Sequence, residues 1–89
     1  MPRFTITFTG RVQGVGFRFT AQQIARRLSV AGWVRNEPDG SVRCVVEGER
    51  REIDEFLAAL QHAMNENIEK TDIQQSEAGG DLRDFHVRQ

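Results

Sequence analysis

Residues 30–46 of the chain are VAGWVRNEPDGSVRCVV, two apolar stretches separated by a turn. Within it, Glu37-Pro38-Asp39-Gly40 has proline and glycine at the positions that a type I turn favours. Residues 30–36 before the turn carry Trp33 and Val34, and residues 42–47 after it alternate as a half-buried strand does. The stretch therefore predicts a hairpin of two antiparallel strands.

The sequence before the hairpin predicts a strand, a loop and a helix. Residues 3–9, RFTITFT, alternate large apolar residues with threonine, as a half-buried strand does. Residues 10–17 contain three glycines and predict a loop. Apolar residues at helical spacing then predict an amphipathic helix over about residues 18–29.

Three further elements follow the hairpin. They are a second amphipathic helix, a fourth strand whose irregular apolar spacing indicates a bulge, and a short terminal strand. The residues that mark them are Ile53, Phe56, Leu57, Leu60 and Met64, then Ile68 and Ile73, then Phe85 and Val87.

This order, β-α-β-β-α-β plus a terminal strand, predicts the α+β class with a ferredoxin-like, split β-α-β arrangement in one domain over residues 1–89. We expect an antiparallel sheet with both helices on one face. The third strand then lies between the first and the second, which run parallel and end at the same edge of the sheet. The loop at residues 10–17 and Asn36 are therefore expected side by side.

The composition limits the possible functions. The 89 residues carry 12 basic and 13 acidic side chains, so no field of one sign attracts nucleic acid or an anionic membrane. No apolar stretch is long enough to span a bilayer, and residues 1–4, MPRF, do not have the apolar core expected of a secretion signal. We expect a cytoplasmic monomer without membrane or nucleic-acid partners. Cys44 is expected to be buried and inert, and His62 and His86 to be exposed without a metal.

The loop GRVQGVGFR, residues 10–18, has the features of an anion site. Backbone N–H groups of a glycine-containing turn, together with the unpaired donors of a helix start, bind anions. The helix dipole disfavours a cation such as Arg18 in the first turn by about 0.3–1 kcal/mol, and a bound anion reverses that preference. A plain glycine turn with a solvated Arg18 fits the same spacing.

Several short segments together match one known pattern: GRVQGVGFR, then GWVRN with Asn36 eighteen residues after Arg18, then PDGSV, and FHVR at residues 85–88. In these segments the chain resembles the acylphosphatase family, over about residues 4–60 and again at the closing strand. Residues 65–82 depart from it, because many members have a proline-containing link and a valine-rich strand there.

The resemblance implies an enzyme that hydrolyses small-molecule acyl phosphates without a cofactor or metal, with inorganic phosphate as product and inhibitor. It implies that Arg18 binds the phosphate and that Asn36 orients the attacking water. Backbone amides complete the phosphate site, and they belong to Gln13, Gly14, Val15, Gly16, Phe17 and Arg18.

Two other functions are compatible with part of this sequence pattern. A non-catalytic domain that binds an anion or effector needs the loop but leaves Asn36 without a role. An RNA-binding domain shares the fold, but the central strands here lack the paired exposed aromatics that stack bases.

Trp33 is expected to pack at the core or its rim, and Arg11 either adds to phosphate affinity or is solvated.

Overall fold

The computed structural model describes residues 1–89 as five strands and two helices. The strands are β1 (Pro2–Gly10), β2 (Val30–Asn36), β3 (Val42–Gly48), β4 (Ile68–Glu77) and β5 (Phe85–Arg88), and the helices are α1 (Phe17–Ala25) and α2 (Arg50–Ala63). The strands form one sheet in the order β4-β1-β3-β2-β5. The predicted ferredoxin-like arrangement is confirmed.

The position of β3 determines where the strands end. β3 pairs antiparallel with β1 on one side and with β2 on the other. β1 and β2 are therefore parallel, and their carboxyl ends meet at one edge of the sheet, as predicted.

The terminal strand differs from the prediction of an antiparallel sheet, because β5 pairs in parallel with β2 and makes the sheet mixed. Residues 78–84 carry the chain from β4 to β5 across the opposite end of the sheet, so β5 runs back in the direction of β2. Arg3 holds this link in place: it forms an ion pair with Glu47 and a 2.6 Å bond to Asp81. The bond to Arg3 lowers the pKa of the Asp81 carboxyl.

The predicted bulge lies at the start of β4. The pairing of β1 with β4 shifts register between Thr9 and Gly10. Because of this shift, Ile68 and Ile73 both lie on the sheet face that carries the core, although five positions separate them in the sequence. Ile68 packs against the core, and Ile73 stays 48% exposed because β4 is the edge strand of the sheet.

Both helices pack on one face of the sheet, as predicted. Inward residues of β1 and β3 share a single apolar cluster with residues of α1 and α2. The Phe8 and Phe17 rings lie 5.0 Å apart, and those of Phe56 and Phe85 lie 5.4 Å apart. The first pair fixes the start of α1 against β1. Neither helix is long and apolar enough to cross a membrane.

Helix α1 ends at Ala25, earlier than the predicted residue 29. The chain continues in tight turns, with 3.1 Å bonds from the Arg27 N–H to the Ile24 carbonyl and from the Leu28 N–H to the Ala25 carbonyl. These three-residue turns keep Leu28 against the core while redirecting the chain into β2. The apolar spacing alone does not distinguish them from another turn of α-helix.

Gly32 of β2 lies directly against the backbone of β3, and we predict that Gly32→Ala destabilises the fold. An added Cβ would lie 1.8 Å from the Val45 carbonyl oxygen, which is backbone and cannot move aside without breaking the pairing. We expect a loss of about 3 kcal/mol in the free energy of unfolding, measured by urea denaturation. Gly40→Ala is the control: its Cβ meets open space and only its φ of 93° is unfavourable, at about 1–2 kcal/mol. Equal losses in the two variants would contradict the proposed clash.

Candidate active site

A pocket of about 290 Å³ opens at the sheet edge where β1 and β2 end. The loop after β1, the first turns of α1, the last residue of β2 and the end of β5 all contribute to it. Arg18 and Asn36 both line this pocket. The two residues that the sequence singled out therefore face one space, although they belong to different elements.

The loop between β1 and α1 has the backbone of an anion site. Gly14 and Gly16 have φ angles of 76° and 78°, in the left-handed region where glycine is favoured. A Cβ on either would meet no atom within 4 Å, so both residues border open space. The N–H groups of residues 13–16 donate no backbone hydrogen bond within the chain. They remain free to bind an anion.

The start of α1 adds to this positive environment. Gly16 is the N-cap residue and has no side chain to cap the helix, and the first turn contains no acidic residue. No side chain of this first turn therefore neutralises the positive end of the helix dipole. Phe17, buried against Phe8, fixes this helix end at the pocket.

Arg18 extends from the first turn of α1 to β5. Its Nη1 donates a 3.3 Å hydrogen bond to the Arg88 carbonyl oxygen, and no carboxylate pairs with it. A guanidinium has five N–H donors, so this one bond positions the group and leaves other donors free. No sequence pattern predicts this contact, because its acceptor is a backbone carbonyl.

Asn36 is the last residue of β2 and pairs with Val42 of β3. It is half-buried and faces the pocket. A carboxamide has one acceptor oxygen and two N–H donors, so it can orient a water molecule without changing its own charge.

Gln13 performs a task that sequence reasoning missed. Its Nε2 donates hydrogen bonds to the Glu37 carbonyl oxygen at 2.8 Å and to the Ser41 carbonyl oxygen at 2.9 Å. The side chain thus joins the loop between β1 and α1 to the turn that follows Asn36. Neither Gln13 nor Val15 lines the pocket, whereas Gly14, Gly16, Phe17 and Arg18 do.

The turn that accepts these bonds is itself well held. The Asp39 carboxylate accepts hydrogen bonds from the Ser41 hydroxyl at 2.6 Å and the Ser41 N–H at 2.9 Å, which lowers the pKa of Asp39. Glu37 forms ion pairs with Arg35 at 3.0 Å and Arg43 at 3.3 Å. Gln13 is therefore tied to a fixed point next to Asn36.

The acylphosphatase family model matches residues 4–87. The chain is 42% identical to the acylphosphatase of Salinibacter ruber over 97% of its own length and 92% of that protein's. The chain belongs to the acylphosphatase family. It is also 40% identical to the acylphosphatase of Thermus thermophilus, over 98% of its own length and 99% of that protein's. The crystal structure of the Bacillus subtilis acylphosphatase superposes with a TM-score of 0.90 at 29% identity, over the full length of both chains.

The cysteine, the two histidines and the tryptophan do not line this pocket. Cys44 is fully buried, and burial raises the pKa of its thiol. His62 is exposed and His86 half-buried, and no group of three or more potential ligands is close enough to hold a metal ion. Trp33 is half-buried on the sheet face away from the helices, between the guanidinium groups of Arg35 at 5.0 Å and Arg88 at 4.5 Å from its ring.

We predict that Gln13→Met lowers the free energy of unfolding by about 1–2 kcal/mol, because methionine keeps the length of the side chain but loses both hydrogen bonds. Gln23→Met is the matched control, since Gln23 is half-buried on α1 and makes no side-chain hydrogen bond. Urea denaturation of both variants measures the difference. If the two substitutions have the same effect, the Gln13 bonds contribute nothing to stability.

Proposed function

We propose that this acylphosphatase binds the phosphate of its substrate with Arg18 and the loop amides and orients the attacking water with Asn36. The reaction of the family is hydrolysis of an acyl phosphate to a carboxylate and inorganic phosphate. The observation that carries the assignment is that Arg18 and Asn36 line one pocket beside free backbone N–H groups.

The chemistry needs positioning more than it needs a strong base. Water attacks phosphorus, the bond from phosphorus to the carboxylate oxygen breaks, and the water proton passes to a phosphate oxygen. The leaving carboxylate is stable, so transition-state charge and alignment control the rate. The pocket fits this scheme, because no histidine, aspartate or glutamate lines it.

Each group then has one task. The free N–H groups of the loop, the end of α1 and the guanidinium of Arg18 stabilise the charge on the phosphate oxygens. The bond from Arg18 to the Arg88 carbonyl keeps the guanidinium at the pocket. Asn36, which approaches from β2, holds the water in line with the bond that breaks.

We further propose that the protein acts as a cytoplasmic monomer, without metal, on a free small-molecule substrate, and that phosphate inhibits it as a product. A complete pocket within one chain supports the monomer. The alternative, an anion-binding domain without turnover, accounts for the loop and Arg18 but gives Asn36 no task. An assay with benzoyl phosphate in the presence of a chelator distinguishes the two: phosphate binding without hydrolysis above background would disprove the proposal.

In the same assay we predict that Arg18→Gln lowers kcat/KM by about 10²- to 10³-fold, because the phosphate loses its charged partner in the transition state. Arg11→Gln is the control, since Arg11 is exposed and does not line the pocket, and we expect a change within about threefold. Equal losses in both variants would indicate a general effect of positive charge rather than a contact made by Arg18.

For Asn36→Ala we predict that kcat falls by about 10²-fold while the inhibition constant of phosphate stays within about twofold, since the phosphate contacts remain. Steady-state kinetics with phosphate as a competitive inhibitor measures both values. Full turnover in this variant would remove Asn36 from the mechanism.

A further inference from the structure

Phe19 is an exposed aromatic residue at the mouth of the active site. It is 64% exposed and lines the same pocket as Arg18 and Asn36. The other two large exposed apolar residues, Met1 and Ile73, lie at the chain start and on the edge strand β4, away from this pocket. An apolar ring left in water beside a polar site has area to bury against a ligand.

Apart from Arg18, the side chains around Phe19 are uncharged. Gln22 is three residues further along α1, so its side chain lies on the same side of the helix. Val87 of β5 and Gln89 also line the pocket. Arg18 has the only charged side chain among the lining residues. The other lining side chains are therefore apolar groups or uncharged amides.

The direction of the reaction determines where the acyl group must lie. In-line displacement puts the leaving carboxylate on the side of phosphorus opposite to the attacking water. If Asn36 holds that water, the acyl group points away from the Asn36 carboxamide, towards the other residues that line the pocket. Among those residues, Phe19 is the one large apolar side chain that is exposed.

We propose that Phe19, with Val87 and the methylene groups of Gln22, forms an acyl-group subsite that favours acyl phosphates with an uncharged, apolar and above all aromatic acyl group. This inference rests on the proposed function, which places the phosphate at Arg18. The ring contributes by burying apolar area and by stacking. A small acyl group such as acetyl is too short to gain much from either.

The test compares benzoyl phosphate and acetyl phosphate as substrates of the wild-type enzyme and of Phe19→Ala. We expect Phe19→Ala to raise KM for benzoyl phosphate about tenfold, which corresponds to about 1.4 kcal/mol. We expect kcat, and KM for acetyl phosphate, to stay within about twofold, since the contact is equally strong in the ground and transition states. Phe19→Tyr keeps the ring and should retain the wild-type KM.

Ile73→Ala is the matched control, because it removes another exposed apolar side chain that does not line the pocket. It should change neither substrate's kinetics. Equal losses on both substrates in Phe19→Ala would show a structural role and overturn the subsite. An unchanged KM for benzoyl phosphate would overturn it as well.

Calorimetry with benzylphosphonate and methylphosphonate supplies a readout that does not depend on turnover. The wild-type protein should bind benzylphosphonate more tightly, and Phe19→Ala should remove most of that difference while methylphosphonate binding stays unchanged. If the wild-type protein binds both phosphonates with this preference but hydrolyses neither acyl phosphate, the proposed catalysis fails and the subsite stands. If it hydrolyses both substrates but shows no preference, only the subsite fails.

Discussion

The pairing of β3 with both β1 and β2 is the constraint on which the active site depends. Because β3 is antiparallel to each, β1 and β2 run in the same direction and end together. β1 leads into the glycine-containing loop before α1, and β2 finishes at Asn36. The Gln13 amide adds a second link between the same two places, this time through the turn at residues 37–41. The strand pairing and the Gln13 side chain thus both fix the distance between this loop and Asn36.

The loop between β1 and α1 has two features that a bound anion would stabilise. The N–H groups of residues 13–16 have no backbone acceptor, and Arg18 lies near the positive end of a helix. The proposed phosphate group would satisfy both, since it accepts hydrogen bonds and carries negative charge. Local conflict of this kind is expected where binding has shaped a sequence. The packing of Phe8 on Phe17 anchors the helix end of this loop to the core.

The sequence predicts those features of the fold and the site that local residue patterns determine, and misses those that depend on backbone acceptors or on the path of a loop. The turn at residues 37–40 predicts the hairpin of β2 and β3, and the element order β-α-β-β-α-β predicts that β3 lies between β1 and β2. That strand order brings Asn36 to the loop. Ile68 and Ile73 are five positions apart, and this odd spacing predicts the bulge, because only an extra residue in the strand puts both side chains on one face. The target of Gln13 was not predictable, since its acceptors are backbone carbonyls that any residue offers. The direction of β5 was not either, because it depends on how residues 78–84 cross the end of the sheet.

The two proposed parts of the substrate site are made of different groups. The proposed phosphate site combines backbone of the loop between β1 and α1, namely glycine geometry, N–H groups and a helix end, with the Arg18 guanidinium. The proposed acyl subsite consists of side chains on the exposed surface of α1 and at the end of β5. Phe19 is 64% exposed and does not belong to the core, so we expect other helix-forming residues at this position to leave the fold intact. Under this proposal, acyl selectivity can change while phosphate binding and water positioning stay the same.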